Sequence, residues 1–313
     1  MKIMFYQQGA AAEAWLAGMQ ARLPEASIRV WQPGDQGAAD YAMVWAPPYE
    51  MLAHRTELKG IMVLGAGVDA ILRQAQQQPG ALPEGVPIVR LEDNGMAQQM
   101  QEYALATALR YFRRLDDYQR LQQRGVWQPL PARVQADFVI GVMGAGVLGA
   151  AVAKALVAQG FPVRCWSRSV KDFAGVTSFA GDEGLSAFLH GTQMVINLLP
   201  NTPATVGVIN AALLAQLNPG AYVVNLARGA HLVEADLLAA LASGQVAGAA
   251  LDVFAEEPLA PNHAFWQHSR VSMTPHTAAM TLPEQAMDAI AANIRALEAG
   301  QRPSGVVDRA RGY

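Results

Sequence analysis

The feature that most constrains this chain is a loop, Gly144-Ala-Gly146-Val-Leu-Gly149, set between two apolar segments. Residues 138–143 (Phe-Val-Ile-Gly-Val-Met) read as a buried strand, and residues 147–159 as a helix that opens directly after it. At this spacing the three glycines have separate tasks. Gly144 permits a tight turn, Gly146 lacks the Cβ that would hold a pyrophosphate off the backbone, and Gly149 lets helix and strand pack closely. The helix start presents unpaired N–H groups and the positive end of its dipole to phosphates. A glycine-rich turn with a packing role alone is the plainer reading, since the chain holds 28 glycines. The strand–loop–helix context favours a dinucleotide. Gly144, Gly146, Val147, Leu148 and Gly149 are therefore expected at the cofactor.

The tip of the next strand selects which cofactor. Residues 162–166 (Pro-Val-Arg-Cys-Trp) read as that strand, and it runs into Ser167-Arg168-Ser169, with Lys171 just beyond. A site built for NAD places Asp or Glu there, roughly 20 residues past the loop, to bond the ribose hydroxyls. No carboxylate stands at this tip. A carboxylate would repel a 2′-phosphate, whereas the Arg168 guanidinium pairs with it through charge-assisted hydrogen bonds. Ser167, Arg168 and Ser169 are expected at the cofactor, with NADP(H) preferred and NAD(H) second. Arg168 and Lys171 as ordinary solvated charges is the alternative, but the missing acid is harder to set aside.

Strand-like and helix-like stretches alternate along the chain. Residues 2–6, 27–31, 41–45, 61–64 and 87–91 read as strands, and 11–22 as a helix closed by Pro24. Residues 96–124 contain no Gly and no Pro and read as one long helix, followed by an arm around Trp127-Gln-Pro-Leu-Pro131. A second series then gives strands at 138–143, 162–166, 194–199, 222–226, 247–253 and 271–274. Helices are expected at 147–159, 185–189, 211–217, 234–243 and 283–299. Such alternation predicts βαβ units and parallel sheets. With 313 residues, two α/β domains of the doubly wound kind are expected.

Composition narrows the function. Hydrophobic residues make up 52% and charged residues 16%, enough for a large core. A net charge of -3 with no polybasic run argues against nucleic-acid and anionic-membrane partners. The longest uncharged apolar stretch, residues 138–153, is 16 long with four glycines, short of the roughly 20 that a spanning helix needs. The N-terminus does not read as a signal peptide. Cys165 is the one cysteine, which excludes an intrachain disulfide and a cysteine-based zinc cluster and fits a reducing cytoplasm. No His/Asp/Glu cluster has ligand spacing, so no metal is expected.

Three later segments each place a reactive group just past an apolar run, where open α/β sheets bind ligands. They are Val223-Val-Asn-Leu-Ala-Arg228-Gly229, Leu251-Asp252-Val-Phe-Ala-Glu-Glu257-Pro258 and Val271-Ser-Met-Thr-Pro275-His276. Together with the Gly144 loop they resemble the D-isomer-specific 2-hydroxyacid dehydrogenase family over nearly the whole chain. Leu64-Gly-Ala-Gly-Val-Asp69, Trp166-Ser-Arg168, Asn197-Leu-Leu-Pro-Asn-Thr202 and the ending Val307-Asp-Arg-Ala-Arg-Gly-Tyr313 are similar to its branch that reduces glyoxylate and hydroxypyruvate. The chemistry suits a 2-keto acid. The Arg228 fork can hold a carboxylate beside a ketone. His276 can donate a proton to the keto oxygen, because an imidazole titrates near pH 6.5. The resemblance implies that Glu257 stabilises and orients that imidazole, and that Asp252 bonds the nicotinamide carboxamide. It also implies that Leu199, Pro200 and Thr205 lie along the cofactor, and that the backbone of Ala66, Gly67 and Val68 completes the carboxylate site.

Each of these residues has a plainer reading. Arg228 can be a surface ion-pair residue, Glu257 a loop acid and His276 a helix cap. Of the six histidines, His231, three residues past Arg228, is the main competitor of His276. Trp45, Met96 and Met100 can wall a substrate pocket or simply pack. Many members of the family have Asp shortly after the Arg-Gly step, where this chain has Leu232-Val233-Glu234; no catalytic consequence is expected. The resemblance implies a Rossmann cofactor domain over 103–281 and a flavodoxin-like substrate domain from 1–102 with 282–313, the active site lying in a cleft between them. It implies reduction of small 2-keto acids, glyoxylate to glycolate and hydroxypyruvate to D-glycerate, and a cytoplasmic homodimer with a contact around 126–137. Another 2-hydroxyacid specificity, or a dinucleotide-sensing role like that of the family's corepressor branch, are the alternatives.

Overall fold

Near-continuous apolar runs form the strands because a parallel sheet is covered on both faces. The segments Ile-Gly-Val-Met, Met-Val-Ile-Asn and Ala-Tyr-Val-Val-Asn are buried throughout, and all three are central strands. The computed structural model describes residues 1–7 and 12–313. The chain divides into two compact units, Met1–Gly95 with Thr281–Tyr313, and Met96–Met280.

The smaller unit begins with β1 (Lys2–Gln7), α1 (Glu13–Arg22), β2 (Ser27–Val30), β3 (Tyr41–Trp45), α2 (Tyr49–Leu52), β4 (Gly60–Val63), α3 (Asp69–Gln77) and β5 (Ile88–Val89). The larger unit opens with α4 (Met96–Phe112) and α5 (Leu115–Gln123). It continues with β6 (Ile140–Met143), α6 (Val147–Ala158), β7 (Val163–Ser167), β8 (Val176–Ala180), α7 (Gly181–Leu189) and β9 (Met194–Asn197). The unit closes with α8 (Ala211–Leu214), β10 (Ala221–Asn225), α9 (Glu234–Ser243), β11 (Val246–Leu251) and β12 (Val271–Met273). The chain then returns to the smaller unit as α10 (Pro283–Glu298), which lies against α1 where Arg22 pairs with Glu284 and Asp288.

Among the described residues every pairing between two of these strands is parallel. The smaller sheet has the order β2-β1-β3-β4-β5, the flavodoxin arrangement. The larger has the order β8-β7-β6-β9-β10-β11-β12, which is the Rossmann order with one strand added at the far edge. Its strand order reverses between β6 and β9, so the tips of those strands flank a crevice of the kind that takes ligands.

The larger unit packs helices on both faces of its sheet. Helix α6 buries Gly149, Val152, Ala153 and Leu156, a stripe at helical spacing, against Ile140 and Val142 of β6 and against α4. The opposite face gathers Val195, Val223, Leu237 and Leu241. A fully buried leucine such as Leu156 is worth about 2–5 kcal/mol against alanine. The smaller unit has its own core around Met4, Val44, Ile61, Ile71 and Val307. Among the described residues no helix is long and apolar enough to cross a membrane.

Several local expectations change. The stretch read as one long helix is two, α4 and α5, because Arg114 takes left-handed backbone (φ 60°) and no Gly or Pro announces the break. Asp116 and Asp117 then start α5 with the acids that its positive end favours. Strand β8 carries no strong apolar signal, because it sits at the sheet edge and is only half-buried. Helix α7 starts at Gly181, earlier than the expected 185, with Asp182 and Glu183 in its first turn. Strand β6 begins at Ile140, since residues 135–137 form a 3-10 turn. Helix α1 is described from Glu13 onward, and Ala11 of the expected span lies outside the described residues.

Candidate active site

The glycine loop is built as its spacing requires. Gly144 has φ +99°, and a Cβ there would stand 2.6 Å from the Leu198 carbonyl oxygen. A Cβ on Gly149 would stand 1.8 Å from the Gly144 carbonyl oxygen, so only glycine lets α6 approach this turn. Gly146 differs: a Cβ there would meet no atom within 4 Å. Its free face opens at the start of α6, whose N-terminal amides point the same way. Val147 is exposed and Leu148 half-buried beside it. These residues fit a pyrophosphate: a glycine surface clear of side chains, set at a helix N-terminus.

The tip of β7 carries Ser167, whose hydroxyl donates to the Ser169 carbonyl (2.8 Å), and the exposed Arg168. No acid stands between them, which fits a 2′-phosphate better than a bare ribose. Past β9, Leu199 is buried and Pro200 half-buried. The Thr205 hydroxyl donates to the Pro200 carbonyl (2.7 Å) and closes that loop.

Three neighbouring strands, β10, β11 and β12, deliver the expected reactive groups to one edge of the sheet, since parallel strands end on the same side. Arg228 lies three residues past β10 and is half-buried. Glu257 follows β11 and His276 follows β12. The His276 ring nitrogen Nδ1 lies 2.8 Å from Glu257 Oε2. A carboxylate accepts, so Nδ1 carries the proton of this bond, and Nε2 is the ring atom left to face outward. The His276 side chain is 46% exposed. Glu257 is held in turn by the Phe254 amide, which donates to Oε1 (2.9 Å). Gly229 couples this loop to Arg228: a Cβ there would stand 1.8 Å from the Phe254 carbonyl carbon, so the Arg228 turn rests directly on the backbone before Glu257.

Asp252 is 1% exposed and organises the His276 segment. Its Oδ1 accepts from the Thr274 hydroxyl (2.6 Å) and the Thr277 amide (2.8 Å), and its Oδ2 from the Ala278 amide (2.9 Å). The His276 amide donates to the Asp252 carbonyl (2.8 Å). These bonds hold His276 in left-handed backbone, φ 56°, a conformation that non-glycine residues keep only when their surroundings impose it. The Thr274 hydroxyl gives its proton to Asp252, so the Tyr103 hydroxyl 2.6 Å away donates to Thr274. Burial, with help from the Asp252 charge, raises the Tyr103 hydroxyl above the usual phenol range, against the bond to Thr274. Sequence reasoning missed Tyr103, Thr274 and Gly229. Only the Arg-Gly and Thr-Pro-His steps hinted at two of them.

His231 does not share the exposure of His276. It is 0% exposed and lies against Asn197. Met96 and Met100 are also buried, and Met100 belongs to the core that includes α6. Within the smaller unit, the Trp45 ring covers Gly65, where a Cβ would stand 2.4 Å from Trp45 Cζ3. Ala66 and Gly67 are half-buried, and Val68 packs into that unit's core. The Arg90 guanidinium donates to the Ala66 carbonyl (3.4 Å). Among the described residues no three His, Cys, Asp or Glu side chains gather as a metal site.

The chain is similar to known proteins. The family model described as D-isomer specific 2-hydroxyacid dehydrogenase, NAD binding domain, matches residues 105–278, inside the larger unit. The chain is 63% identical over its full length to glyoxylate/hydroxypyruvate reductase A of Serratia proteamaculans, all of which it covers. It is 61% identical, again with full coverage of both chains, to the protein of that name from Yersinia enterocolitica. Among solved structures, it is similar to a D-isomer specific 2-hydroxyacid dehydrogenase from Xanthobacter autotrophicus in complex with NADPH and MES. That match has a TM-score of 0.93 and 40% identity, and covers 100% of this chain and 99% of the other. An NADPH-dependent glyoxylate/hydroxypyruvate reductase from Sinorhizobium meliloti, in complex with NADP and sulfate, matches with a TM-score of 0.90 and 35% identity over 100% and 99% of the two chains. By the match of the family model over residues 105–278 and by full-length identity to these relatives, this chain belongs to the D-isomer-specific 2-hydroxyacid dehydrogenase family.

Proposed function

We propose that this protein is an NADPH-dependent reductase of small 2-keto acids, taking glyoxylate to glycolate and hydroxypyruvate to D-glycerate. The observation that carries the reading is the 2.8 Å pair of His276 and Glu257 at the strand edge that also bears Arg228. Full-length identity to glyoxylate/hydroxypyruvate reductases and likeness to NADPH-bound members of the family support the substrates and the cofactor.

The residues divide the work. Gly144, Gly146, Val147, Leu148 and Gly149 hold the pyrophosphate, Ser167, Arg168 and Ser169 the 2′-phosphate, and Leu199, Pro200, Thr205 and Asp252 the nicotinamide half. NADPH, when bound, supplies the hydride that reduces the ketone carbon. Arg228 binds the substrate carboxylate with its planar fork and so presents the carbonyl. His276 gives the Nε2 proton to the carbonyl oxygen as negative charge develops there. Glu257 keeps the imidazole oriented and stabilises its protonated form. In the smaller unit, read as the substrate domain, Trp45 and the Ala66, Gly67 and Val68 backbone are the residues assigned to substrate.

The protein acts as a homodimer in this reading, with the contact around residues 126–137. Trp127 there is 100% exposed, and Val126 and Val134 are exposed beside it, which supports a covered apolar surface. A cytoplasmic setting agrees with the single, buried Cys165. Light scattering at the 33.4 kDa monomer mass would refute the dimer.

The test of the activity is NADPH oxidation with glyoxylate, hydroxypyruvate and pyruvate, repeated with NADH. Turnover is expected on the first two substrates with NADPH. A clear preference for NADH would remove Arg168 from cofactor choice. Cofactor binding with no turnover on any of the acids would move the function to another 2-hydroxyacid or to a dinucleotide-sensing role.

A further inference from the structure

The larger sheet buries three polar side chains at its strand ends that the mechanism above does not use. Asn197 ends β9, Asn225 ends β10 and His231 follows in the 3-10 turn past Arg228, and all three are 0% exposed. Asn197 and Asn225 stand opposite each other in the parallel register. One hydrogen-bond pattern links them. Asn197 Nδ2 donates to Asn225 Oδ1 (2.9 Å) and to His231 Nδ1 (2.8 Å). Asn197 Oδ1 accepts from the Leu199 amide (3.2 Å). Asn225 Oδ1 accepts from the Ala227 amide (3.3 Å), and Asn225 Nδ2 donates to the Arg228 carbonyl (2.9 Å). The His231 amide donates to that same carbonyl (3.2 Å).

The pattern has direction. An amide that accepts from Leu199 through its oxygen turns its NH2 to the other two side chains, so His231 Nδ1 is the acceptor and the ring is in its Nε2–H form. Both protons of the Asn197 amide nitrogen and both acceptor positions of Asn225 Oδ1 are used. The two buried amides are satisfied only when each keeps its partners, and His231 Nδ1 is the acceptor that one Asn197 proton needs. An apolar trio of similar volume would fill the space as well, but it would leave the Leu199 and Arg228 turns without side-chain anchors. Those two turns are the expected walls of the nicotinamide and carboxylate sites.

We propose that His231 is a positioning residue that, through Asn197 and Asn225, sets the Leu199 turn and the Arg228 turn relative to each other. The inference rests on the roles given above to Leu199 and Arg228. His231 touches neither substrate nor the reacting atoms. It fixes the orientation of the Asn197 amide, and the amide fixes the two turns.

The test compares His231→Leu with His231→Asn in the full chain. Leucine fills the space without an acceptor, whereas asparagine places an amide oxygen where Nδ1 stands. Steady-state constants for glyoxylate and NADPH, and the Kd of NADPH by fluorescence, are measured where circular dichroism shows folded protein. His231→Leu is expected to raise both KM values and the NADPH Kd by about tenfold, with kcat within about threefold because His276 and Glu257 are untouched. His231→Asn is expected to restore all three. Asn225→Ala, which removes the direct bond to Arg228 and keeps the Leu199 bond, is expected to raise the glyoxylate KM more than the NADPH Kd. A folded His231→Leu protein with wild-type KM values and Kd overturns the proposal, as does His231→Asn impaired equally. Loss of the fold in both His231→Leu and Asn225→Ala also overturns it, since the trio then serves the core. If the wild-type protein does not reduce glyoxylate, the proposed activity fails separately, and the NADPH Kd of His231→Leu still decides this inference.

Discussion

Both sheets are parallel and doubly wound, yet their strand ends differ in chemistry. In the larger unit the ends of β9, β10 and β11 carry Asn197, Asn225 and Asp252, all buried; the two asparagines are hydrogen-bonded to the turns that follow them, and Asp252 to the turn past the neighbouring β12. In the smaller unit β3 and β4 end in Val44-Trp45 and Val63-Leu64, and the turn beyond offers glycine and backbone. Architecture alone therefore does not place a reactive group. Chemistry stands where buried polar residues hold irregular backbone in one conformation, and their satisfaction by turn amides is what makes that burial affordable in a sheet core. Apolar strand ends can contribute surface and backbone donors.

The largest effect expected on the larger unit's side is His276→Ala, which should lower kcat by about 10²–10⁴ while NADPH affinity holds. Rapid-mixing kinetics and a binding titration on the same protein check it; an unchanged kcat in a folded variant would remove His276 from the reaction. Next comes Gly146→Ala. Its Cβ would project into open space, so thermal stability should shift by less than about 0.5 kcal/mol while NADPH binds about tenfold more weakly. A calorimetric binding curve matching wild type would show that the loop serves packing only. Arg168→Ala should cut the NADPH-over-NADH ratio of kcat/KM by about tenfold or more, the worth of one charge-assisted bond. In the smaller unit, Trp45→Ala should change the KM of glyoxylate only a few-fold, roughly the scale of one apolar contact, with kcat retained. A loss as large as that of His276→Ala would break the contrast between the two sets of strand ends.

The smallest effect concerns a buried acid on the flank of the larger unit. Burial, and the neighbouring Asp117 charge, push the Asp116 carboxyl above the usual carboxylate range, outweighing Arg120. The native state therefore holds this proton more tightly than the unfolded chain, and ionisation at neutral pH costs stability. Asp116→Asn should raise the melting temperature at pH 7. The gain should shrink as pH falls through the raised native value and vanish below the unfolded one, where both states are protonated. Unfolding curves at several pH values test the sign.

Much of this was legible in the chain. The strand–glycine–helix unit, the alternation that gives two α/β units, and the positions of Arg228, Glu257 and His276 after apolar runs all follow from local pattern. The α4–α5 break and edge strand β8 were not legible, because a left-handed arginine and a half-buried edge leave no compositional trace. The Thr-Pro-His step after a strand favoured His276 over His231, but that His231 is buried against Asn197 was beyond local pattern.

Sequence carries backbone propensity and apolar periodicity, which are short-range, and those suffice for most of the elements and for the glycine loop. Exposure and hydrogen-bond partners are long-range. His276 meets Glu257 across 19 residues, and His231 meets Asn197 across 34. Folding buries one imidazole among amides and leaves the other half exposed with a carboxylate behind it, and that difference in surroundings is the ground for the two roles proposed.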